Sequence, residues 1–520
     1  MRVLLIQPPI QDFYDTDVRL QPIGLCYLKA QASKHHPNCD ILIRDYHHGH
    51  GRSTIPIPSS LRYLTRYWGQ HDKSPFCGFH HYYHFGLSFE KIQADIESIK
   101  PDIIGISSLF SPYHREVLEV CRNIKAWKDV PIIVGGSHVN ALPEKMLAEP
   151  NIDYILKGEG ERGFIEFLSF LKGQIAITDV SGLGFKEGGL LRQNPLKDNI
   201  PLNEMVYPDL RDFSPSNYLF AGRPMTFMIT SRSCPHRCSF CSVHLTFGNT
   251  YRKRHVEHIF REIELRYDQG YRVVDFEDDN LTFYRTEMKE LCRRLIERFP
   301  QREMEFVAMN GISYLSLDDE LLELMAKAGF SNLNLALVSS DQLVREATKR
   351  PHTVDKYVAV VEKAKALGLR VVSYQILGLP SETLESMVQT LSFAARMPVL
   401  IGASMFYLTP NSPIAKEFPP LSDDEVFKAR LTAMAVETAN ASRDQIYTLF
   451  ITTRIIDFLK SFAVARDTQL HEILQCAVTV PKSREEIGLT QLKMLSQERK
   501  LYFWSKHGAV FNPAFDVDLF

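Results

Sequence analysis

Short apolar runs alternate with amphipathic stretches from the first residues of the chain to about residue 172. Helical spacing between most of these runs indicates connecting helices. Strands that alternate with helices are typical of a parallel sheet covered on both faces. The apolar runs predict five buried strands, at residues 2–7, 40–45, 102–108, 130–138 and 152–161. We therefore expect residues 1–172 to form a Rossmann-like α/β domain.

A second alternating region follows a linker. Residues 173–219 lose the periodic pattern and carry four spaced prolines, which predicts a linker with a small hairpin at 182–193. Residues 220–415 contain six apolar runs separated by helix-length segments, the last at 404–410. Six units are too few for a complete eight-unit barrel, so we expect a partial (β/α)6 barrel.

The remaining residues, 416–520, have mostly helical spacing and predict a mainly helical C-terminal domain. A capping box, Ser422 to Glu425, marks the beginning of this domain, and residues 501–511 have the pattern of a terminal hairpin.

Residues 47–89 form an insertion rich in aromatic residues and histidine. The insertion is too long for an ordinary connection between strands and is therefore a candidate lid or substrate wall. Its histidine spacings match no standard metal site, which favours packing of the loop over the sheet.

The composition excludes some kinds of partner but does not indicate a function. The 520 residues are 45% hydrophobic and 23% charged, with a net charge of −2, which favours neither nucleic acid nor a membrane surface as a partner. No apolar run is long enough to cross a bilayer, and the N-terminal run is too short for a signal peptide. We expect a cytoplasmic protein of two or three domains, with six of its nine cysteines as scattered free thiols.

The other three cysteines lie close together. Cys234, Cys238 and Cys241 have the spacing C-x3-C-x2-C, directly after an apolar run that ends near Pro235. Three thiolates on one short loop can hold an iron–sulfur cubane and leave its fourth iron open to a ligand. The alternative is a closed zinc site completed by His236 or His244, but structural zinc ligands usually come as two separated pairs.

Small and acidic residues follow several of the predicted strands. In parallel sheets, ligands bind beyond the carboxyl ends of the strands. Glu277, Asp278 and Asp279 follow one barrel strand and could accept a cation, although an exposed cluster at a helix N-terminus is the simpler alternative. In the first domain the candidates, which could also simply form tight turns, are Ser107, Ser108, Gly135, Gly136, Ser137, His138, Gly158 and Glu159.

The segment from Ser231 to Cys241 resembles the radical S-adenosylmethionine (radical SAM) superfamily. The resemblance implies a [4Fe–4S] cluster on the three cysteines, which binds SAM at the open iron and cleaves it reductively to a 5′-deoxyadenosyl radical. It also implies SAM contacts by the acidic run and by Phe240, Ser339, Gln375 and Gly378. Many relatives have glutamate where this chain has Val338, which places one SAM contact in doubt.

The N-terminal motifs resemble the cobalamin-binding domain that precedes many radical SAM domains. They are Pro8-Pro9, Pro22-x-Gly-Leu-x-Tyr-Leu, the run at 102–107, Val134-Gly-Gly-Ser-His and Gly158-Glu-Gly-Glu. This resemblance implies a flavodoxin-like fold with cobalamin on its carboxyl edge, held by the residues at the strand exits. The Asp-x-His-x-x-Gly signature, which supplies a histidine ligand in other cobalamin proteins, is missing, and residues 45–50 are only a near match.

Together the two resemblances imply a cobalamin-dependent radical SAM methyltransferase that acts on an unactivated carbon of a small molecule or natural product. An external one-electron reductant of the flavodoxin or ferredoxin type is expected as a partner. One alternative is a radical cyclase or rearrangement enzyme with the same domains. A methylthiotransferase would need three more grouped N-terminal cysteines, and a non-enzymatic iron–sulfur redox protein would not cleave SAM.

Overall fold

A computed structural model describes residues 1–16, 21–69, 71–350, 353–466 and 469–520. Residues 1–193 contain ten strands: β1 (Arg2–Gln7), β2 (Ile10–Asp12), β3 (Asp40–Asp45), β4 (Arg52–Thr54), β5 (Tyr83–Phe85), β6 (Ile103–Ser107), β7 (Ile132–Gly135), β8 (Tyr154–Leu156), β9 (Leu183–Glu187) and β10 (Leu190–Gln193). Six helices accompany them: α1 (Ile23–His35), α2 (Phe89–Ile99), α3 (His114–Trp127), α4 (Ser137–Ala141), α5 (Pro143–Ala148) and α6 (Gly160–Leu171).

The first sheet has seven strands in the order β10-β9-β8-β7-β6-β1-β3. Its five parallel strands, numbered along the chain, therefore have the spatial order 2-1-3-4-5, which is the flavodoxin-like order. The predicted hairpin of the linker forms as β9 and β10, but β9 pairs antiparallel with β8. The hairpin thus extends the first sheet, because β8 would otherwise leave unpaired backbone groups at its edge.

The insertion forms little regular structure of its own. Strands β2, β4 and β5 make a small antiparallel sheet. The aromatic residues between β4 and β5 pack mainly against the C-terminal domain. The ring centroids of Trp68 and Tyr447 are 5.7 Å apart, and the Trp68 indole N–H donates a hydrogen bond to the Thr432 carbonyl at 3.1 Å. The expectation that the loop packs over the first sheet is therefore corrected for this aromatic cluster.

The barrel region contains nine strands: β11 (Leu219–Phe220), β12 (Arg223–Met228), β13 (Ser231–Arg232), β14 (Arg252–Lys253), β15 (Val273–Phe276), β16 (Glu305–Val307), β17 (Asn332–Val338), β18 (Arg370–Leu377) and β19 (Leu400–Met405). Its helices are α7 (Val243–Phe247), α8 (Val256–Asp268), α9 (Arg285–Arg298), α10 (Asp319–Ala328), α11 (Gln342–Ala347), α12 (Val354–Ala366) and α13 (Leu384–Arg396).

Six parallel strands line the barrel. β12, β15 and β16 form one group, and β17, β18 and β19 form the other. Parallel bridges from Phe306 to Phe330 and from Ile312 to Leu335 connect the two groups. The sixth strand lies at Leu400–Met405 rather than at the predicted 404–410, because residues 400–405 are the ones in register with β18, and Pro410 lacks the N–H that continued pairing would need.

The C-terminal residues close the open side of this partial barrel. They form α14 (Asp423–Phe427), α15 (Arg443–Arg466), α16 (Leu470–Gln475), α17 (Arg484–Glu498) and the hairpin β20 (Tyr502–Ser505) and β21 (Gly508–Phe511). The capping box at Ser422 is confirmed. α15 packs along β19, and the Asp457 carboxylate accepts a hydrogen bond from the Ile401 amide at 2.9 Å. Among the described residues, none of the helices combines the length and apolarity that a bilayer span requires.

Candidate functional site

The cysteine loop is anchored at the exits of two adjacent barrel strands. The Asp278 carboxylate, which follows β15, accepts hydrogen bonds from the Thr230 amide at 3.1 Å and from the Thr230 hydroxyl at 2.7 Å. Ser233, directly before the first cysteine, has a φ of 74° and is fully buried. Its hydroxyl donates to the Gly248 carbonyl at 2.8 Å. These contacts hold the beginning of the loop in one place.

Cys234, Cys238 and Cys241 line a cavity of ≈ 700 Å³ at the carboxyl ends of the barrel strands, here called the cysteine cavity. The Asn280 amide donates to the Cys234 sulfur at 3.6 Å, and the Arg350 guanidinium donates to the Cys238 sulfur at 3.6 Å. Among the described residues, no three His, Cys, Asp or Glu side chains are grouped around a single metal-ion position. An iron–sulfur cluster distributes its thiolates over different iron atoms.

Three of the predicted SAM contacts line the same cavity: Phe240, Asp279 and Gln375. Gln375 is 1% exposed, and both polar atoms of its side-chain amide are buried without a hydrogen-bond partner among the described residues. Burial raises the pKa of Asp279 to about 7, and the neighbouring Asp278 carboxylate adds to this effect. A bound cation beside Asp279 would favour its charged form.

The other four predicted SAM contacts lie outside the described lining of this cavity. Asp278 supports the cysteine loop, and burial raises the pKa of Glu277 to about 8, with contributions from Asp275 and Asp278. Ser339 is fully buried and shares a hydrogen bond with the Thr390 hydroxyl at 3.1 Å. Gly378 has a φ of 84°, and its amide donates a hydrogen bond to the Glu382 carboxyl group at 3.2 Å. These four residues therefore belong to the strand exits without lining the cysteine cavity.

Two further cavities follow the carboxyl edge of the first sheet. The edge cavity, of ≈ 250 Å³, lies over the strand exits, and the interface cavity, of ≈ 420 Å³, lies between the two sheets' carboxyl ends. Both are lined by Leu109, Ser137, Thr246 and Phe247. Of the predicted cobalamin contacts, those that line the edge cavity are Ser107, Gly135, Gly136, Ser137, Gly158 and Glu159.

Ser108 and His138 do not line either cavity. Ser108 is 1% exposed, and its carbonyl accepts the His138 amide at 3.1 Å. The His138 ring forms a hydrogen bond with the Ser111 hydroxyl at 2.9 Å, and burial lowers its pKa to about 3. No histidine is among the described residues that line the edge and interface cavities.

Glu159 also has a role that the sequence did not indicate. Its carboxylate forms an ion pair with Arg232 at 2.6 Å and a second with Arg252. Arg232 also pairs with Glu161 at 2.5 Å, and all three of Arg232, Glu159 and Glu161 are almost completely buried. Because Arg232 lies two residues before Cys234, this network connects the first sheet directly to the cysteine loop.

Several lining residues were missed in the sequence, among them Gln21, Arg350, Tyr374 and Tyr407. None of them lies in a recognisable motif, and Arg350 is more than a hundred positions from the cysteines. Asn280 could have been found, because it directly follows the acidic run.

Two family models match this chain. The model of the radical SAM superfamily matches residues 228–394, which include the cysteine loop and most of the barrel. The chain therefore contains a radical SAM domain. The model of the B12 binding domain matches residues 77–168 of the same radical SAM protein, ahead of the cysteine loop. The radical SAM domain implies a [4Fe–4S] cluster and SAM as cofactors, and the B12-binding domain implies cobalamin.

Two curated relatives of this radical SAM protein are methyltransferases by name. It is 28% identical over 318 residues to the uncharacterized methyltransferase PH0819 of Pyrococcus horikoshii, covering 60% of this chain and 68% of the relative. It is 24% identical over 516 residues to cytidylyl-2-hydroxyethylphosphonate methyltransferase of Streptomyces wedmorensis, covering 86% and 91%.

Two solved structures share the fold. The cobalamin-dependent SAM radical enzyme OxsB with aqua-cobalamin bound matches with a TM-score of 0.65 and 15% identity, covering 96% of this chain and 79% of that one. The radical SAM methyltransferase TsrM of Kitasatospora setae, with tryptophan and a SAM analogue bound, matches with a TM-score of 0.59 and 17% identity, covering 80% and 75%. The flavodoxin-like domain, partial barrel and helical C-terminal region are thus confirmed as the architecture.

The residues present fit these cofactors. The cysteine cavity combines three thiols with a carboxylate and an unpartnered buried amide, which suits a cluster and a polar ligand. In the edge cavity, the Gln21 side chain accepts hydrogen bonds on its oxygen, while its Nε2 is buried without a partner among the described residues. Mainly apolar walls with one such donor suit the apolar part of a ligand that also carries hydrogen-bond acceptors.

Proposed function

We propose that this chain is a cobalamin-dependent radical SAM methyltransferase that methylates an unactivated carbon of a small-molecule substrate. The observation that carries the proposal is the contact between the two cofactor regions. Six residues line both the cysteine cavity and the interface cavity: Cys241, Val243, Asp279, Tyr407, Thr409 and Leu431. A radical site and a methyl donor must face the same carbon atom, and the shared wall brings the two regions together.

In this proposal, the residues that line the cysteine cavity have different roles. Cys234, Cys238 and Cys241 bind the cluster, and Asp279 accepts the ammonium group of SAM. Gln375 binds a polar group of SAM, and Phe240 covers its adenine. Leu431 and the other apolar residues of the shared wall exclude water. When bound, the cluster and SAM supply the one-electron chemistry, and cobalamin supplies the methyl group.

The division of the chain follows from this assignment. We assign residues 1–172 together with the 182–193 hairpin to cobalamin, residues 220–415 to the cluster and SAM, and residues 416–520 to closure of the barrel. An external one-electron reductant of the flavodoxin or ferredoxin type supplies electrons to the cluster.

The test is anaerobic purification with iron and cobalamin supplied, followed by assays of metal content and products. We expect about four irons and about one cobalt per chain, with 5′-deoxyadenosine and S-adenosylhomocysteine formed after reductant and SAM are added. Replacing Cys238 by alanine should abolish both iron binding and deoxyadenosine formation. Replacing the exposed Cys476 by serine should change neither.

A cyclase is the second candidate, because the chain is 25% identical over 346 residues to the anaerobic magnesium-protoporphyrin IX monomethyl ester cyclase of Rubrivivax gelatinosus, covering 64% of this chain. Deoxyadenosine and cobalt without S-adenosylhomocysteine would favour that candidate. Zinc in place of iron, with no cleavage of SAM, would contradict both.

A further inference from the structure

A fourth cavity, of ≈ 530 Å³, lies between the barrel and the C-terminal domain. We call it the arginine cavity, because Arg454 of α15 and Arg484 of α17 line it. Its walls are otherwise mainly apolar, with Phe79 from the insertion and Phe450 and Phe458 from α15. None of the motifs in the sequence points to this place.

The arginine cavity adjoins the site already described. Gly402, Ala403 and Leu431 line both this cavity and the cysteine cavity. Leu431 also lines the interface cavity, so three cavities meet at one side chain. β19 is the last strand of the partial barrel, and the arginine cavity opens beside it. A molecule that fills the arginine cavity therefore extends to the shared wall.

Among the described residues that line the arginine cavity, two arginines stand against the single carboxylate of Asp457, so positive charge is in excess. Arg454 Nε is buried without a hydrogen-bond partner, and neither Arg454 nor Arg484 forms an ion pair with a described residue. Both oxygens of Asp457 accept hydrogen bonds from the Ile401 amide, at 2.9 and 3.1 Å, and Asp457 forms no salt bridge with either arginine. Burial lowers the pKa of Arg454 and the Arg484 charge lowers it further, while Cys77, Asp15 and Asp457 act in the opposite direction.

Several buried arginines of this chain are paired with carboxylates, whereas Arg345 and Arg350 donate to backbone carbonyls and, for Arg350, to the Cys238 sulfur. Arg232 pairs with Glu161 at 2.5 Å, Arg266 with Glu262 at 3.0 Å and Arg430 with Asp12 at 3.2 Å. A charge taken out of water is costly unless it is paired. Arg454 forms no ion pair with a described residue and lines a cavity that has room for a ligand, so an anion bound there would supply the missing close partner.

We infer that the substrate carries an anionic group, a carboxylate or a phosphate-type group, which Arg454 and Arg484 bind in the arginine cavity. The guanidinium fork of Arg454 suits two oxygens of one anion. The aromatic walls would contact an apolar or aromatic body that leads from the anion towards Leu431. The inference rests on the proposed function in one respect, because it places the reacting carbon of that substrate near the shared wall.

Binding can be tested without catalysis. Calorimetry on the full-length protein would use phenyl phosphate and phenylacetate as anionic probes, with phenylacetamide as the neutral match for phenylacetate. The variants are Arg454→Gln and Arg484→Gln, and Arg62→Gln is the control, because Arg62 is an exposed arginine of the insertion that does not line the cavity. Circular dichroism and thermal melting of each variant would report on folding.

We expect the anions to bind at millimolar concentration and phenylacetamide to bind about tenfold more weakly. Arg454→Gln should weaken anion binding about tenfold or more, Arg484→Gln should weaken it less, and Arg62→Gln should leave it unchanged. A preference for phenyl phosphate would identify a phosphate-type substrate, and a preference for phenylacetate would identify a carboxylate.

Three results would each overturn the inference: no anion binds at millimolar concentration, phenylacetamide binds as tightly as phenylacetate, or both arginine variants bind the anions as the unmodified protein does. Arg484 is exposed, so its variant remains informative if Arg454→Gln does not fold. SAM cleavage is measured separately. Anion binding without SAM cleavage would contradict the proposed function and leave this inference standing.

Discussion

At the scale of single residues, two nitrogen donors adjust the environment of the cysteine sulfurs. Asn280 donates to Cys234, and Arg350 donates to Cys238, each at 3.6 Å. Arg350 is held in place by a second hydrogen bond, from its Nη2 to the Ala336 carbonyl at 2.7 Å. Hydrogen bonds to the sulfurs stabilise the more negative, reduced form of an iron–sulfur cluster and so raise its reduction potential.

Replacing Arg350 by methionine, which keeps much of the side-chain length, should therefore make the reduction potential of the reconstituted cluster more negative by roughly tens of millivolts. A redox titration followed by electron paramagnetic resonance measures this change. Arg345→Met is the matched control, since Arg345 donates only to the backbone carbonyls of Ser339 and Ser340. An unchanged or more positive potential at equal iron content would refute the role of Arg350.

At the scale of elements, the turn between β18 and α13 contains a buried carboxyl group. Glu382 is 1% exposed and accepts the Gly378 amide at 3.2 Å. Burial raises its pKa from 4.5 to about 8, against the opposing effect of backbone hydrogen bonds from Gly378 and Leu379. The folded protein therefore holds a proton on Glu382 at neutral pH, while the unfolded chain has released it.

A carboxyl whose pKa is raised by folding stabilises the folded state most below its unfolded pKa, and that contribution is lost as the pH rises through the folded pKa. We expect the free energy of unfolding to fall between about pH 5 and about pH 8. Glu382→Gln should make this fall smaller, because glutamine does not titrate. Urea unfolding at several pH values tests this, and Glu385→Gln, at an exposed position of α13, should follow the unmodified protein.

At the scale of the whole molecule, one buried arginine connects the C-terminal region to the first domain. Arg430 pairs with Asp12 at 3.2 Å and donates to the Gln11 and Pro112 carbonyls at 2.7 and 2.6 Å. Asp12 is fully buried and also accepts the Thr432 hydroxyl at 2.6 Å. These contacts set the position of the first sheet's carboxyl edge relative to the barrel.

Arg430→Met should lower the free energy of unfolding by about 3–5 kcal/mol, because it leaves the Asp12 charge buried without its partner. Chemical denaturation measures the loss, and the double variant with Asp12→Asn should recover part of it. Arg66→Ala removes an exposed ion pair with Asp444 and should cost less than about 1 kcal/mol. Equal losses for the two arginine variants would show that burial of the Arg430 pair does not matter.

The features that could be predicted from the sequence are those that depend on local patterns of residues. Apolar runs located the strands of the first sheet, since burial on both faces requires continuous apolar residues, and the cysteine spacing identified the radical SAM loop. The acidic run was only partly interpretable. Consecutive residues beyond a strand point in different directions, so Asp278 supports the loop while Asp279 alone of the three acids lines the cysteine cavity.

By itself, the sequence predicted the fold class, a B12-binding domain ahead of a radical SAM domain, and a cluster on Cys234, Cys238 and Cys241, because the strand pattern and the cysteine spacing are local features. Only the tertiary structure decided which strand the linker hairpin pairs with, which cavities meet at Leu431 and which arginines line a cavity without a carboxylate partner. Those outcomes depend on contacts between residues far apart in the chain, such as the stacked rings of Phe79 and Phe450, and local spacing carries no information about such contacts.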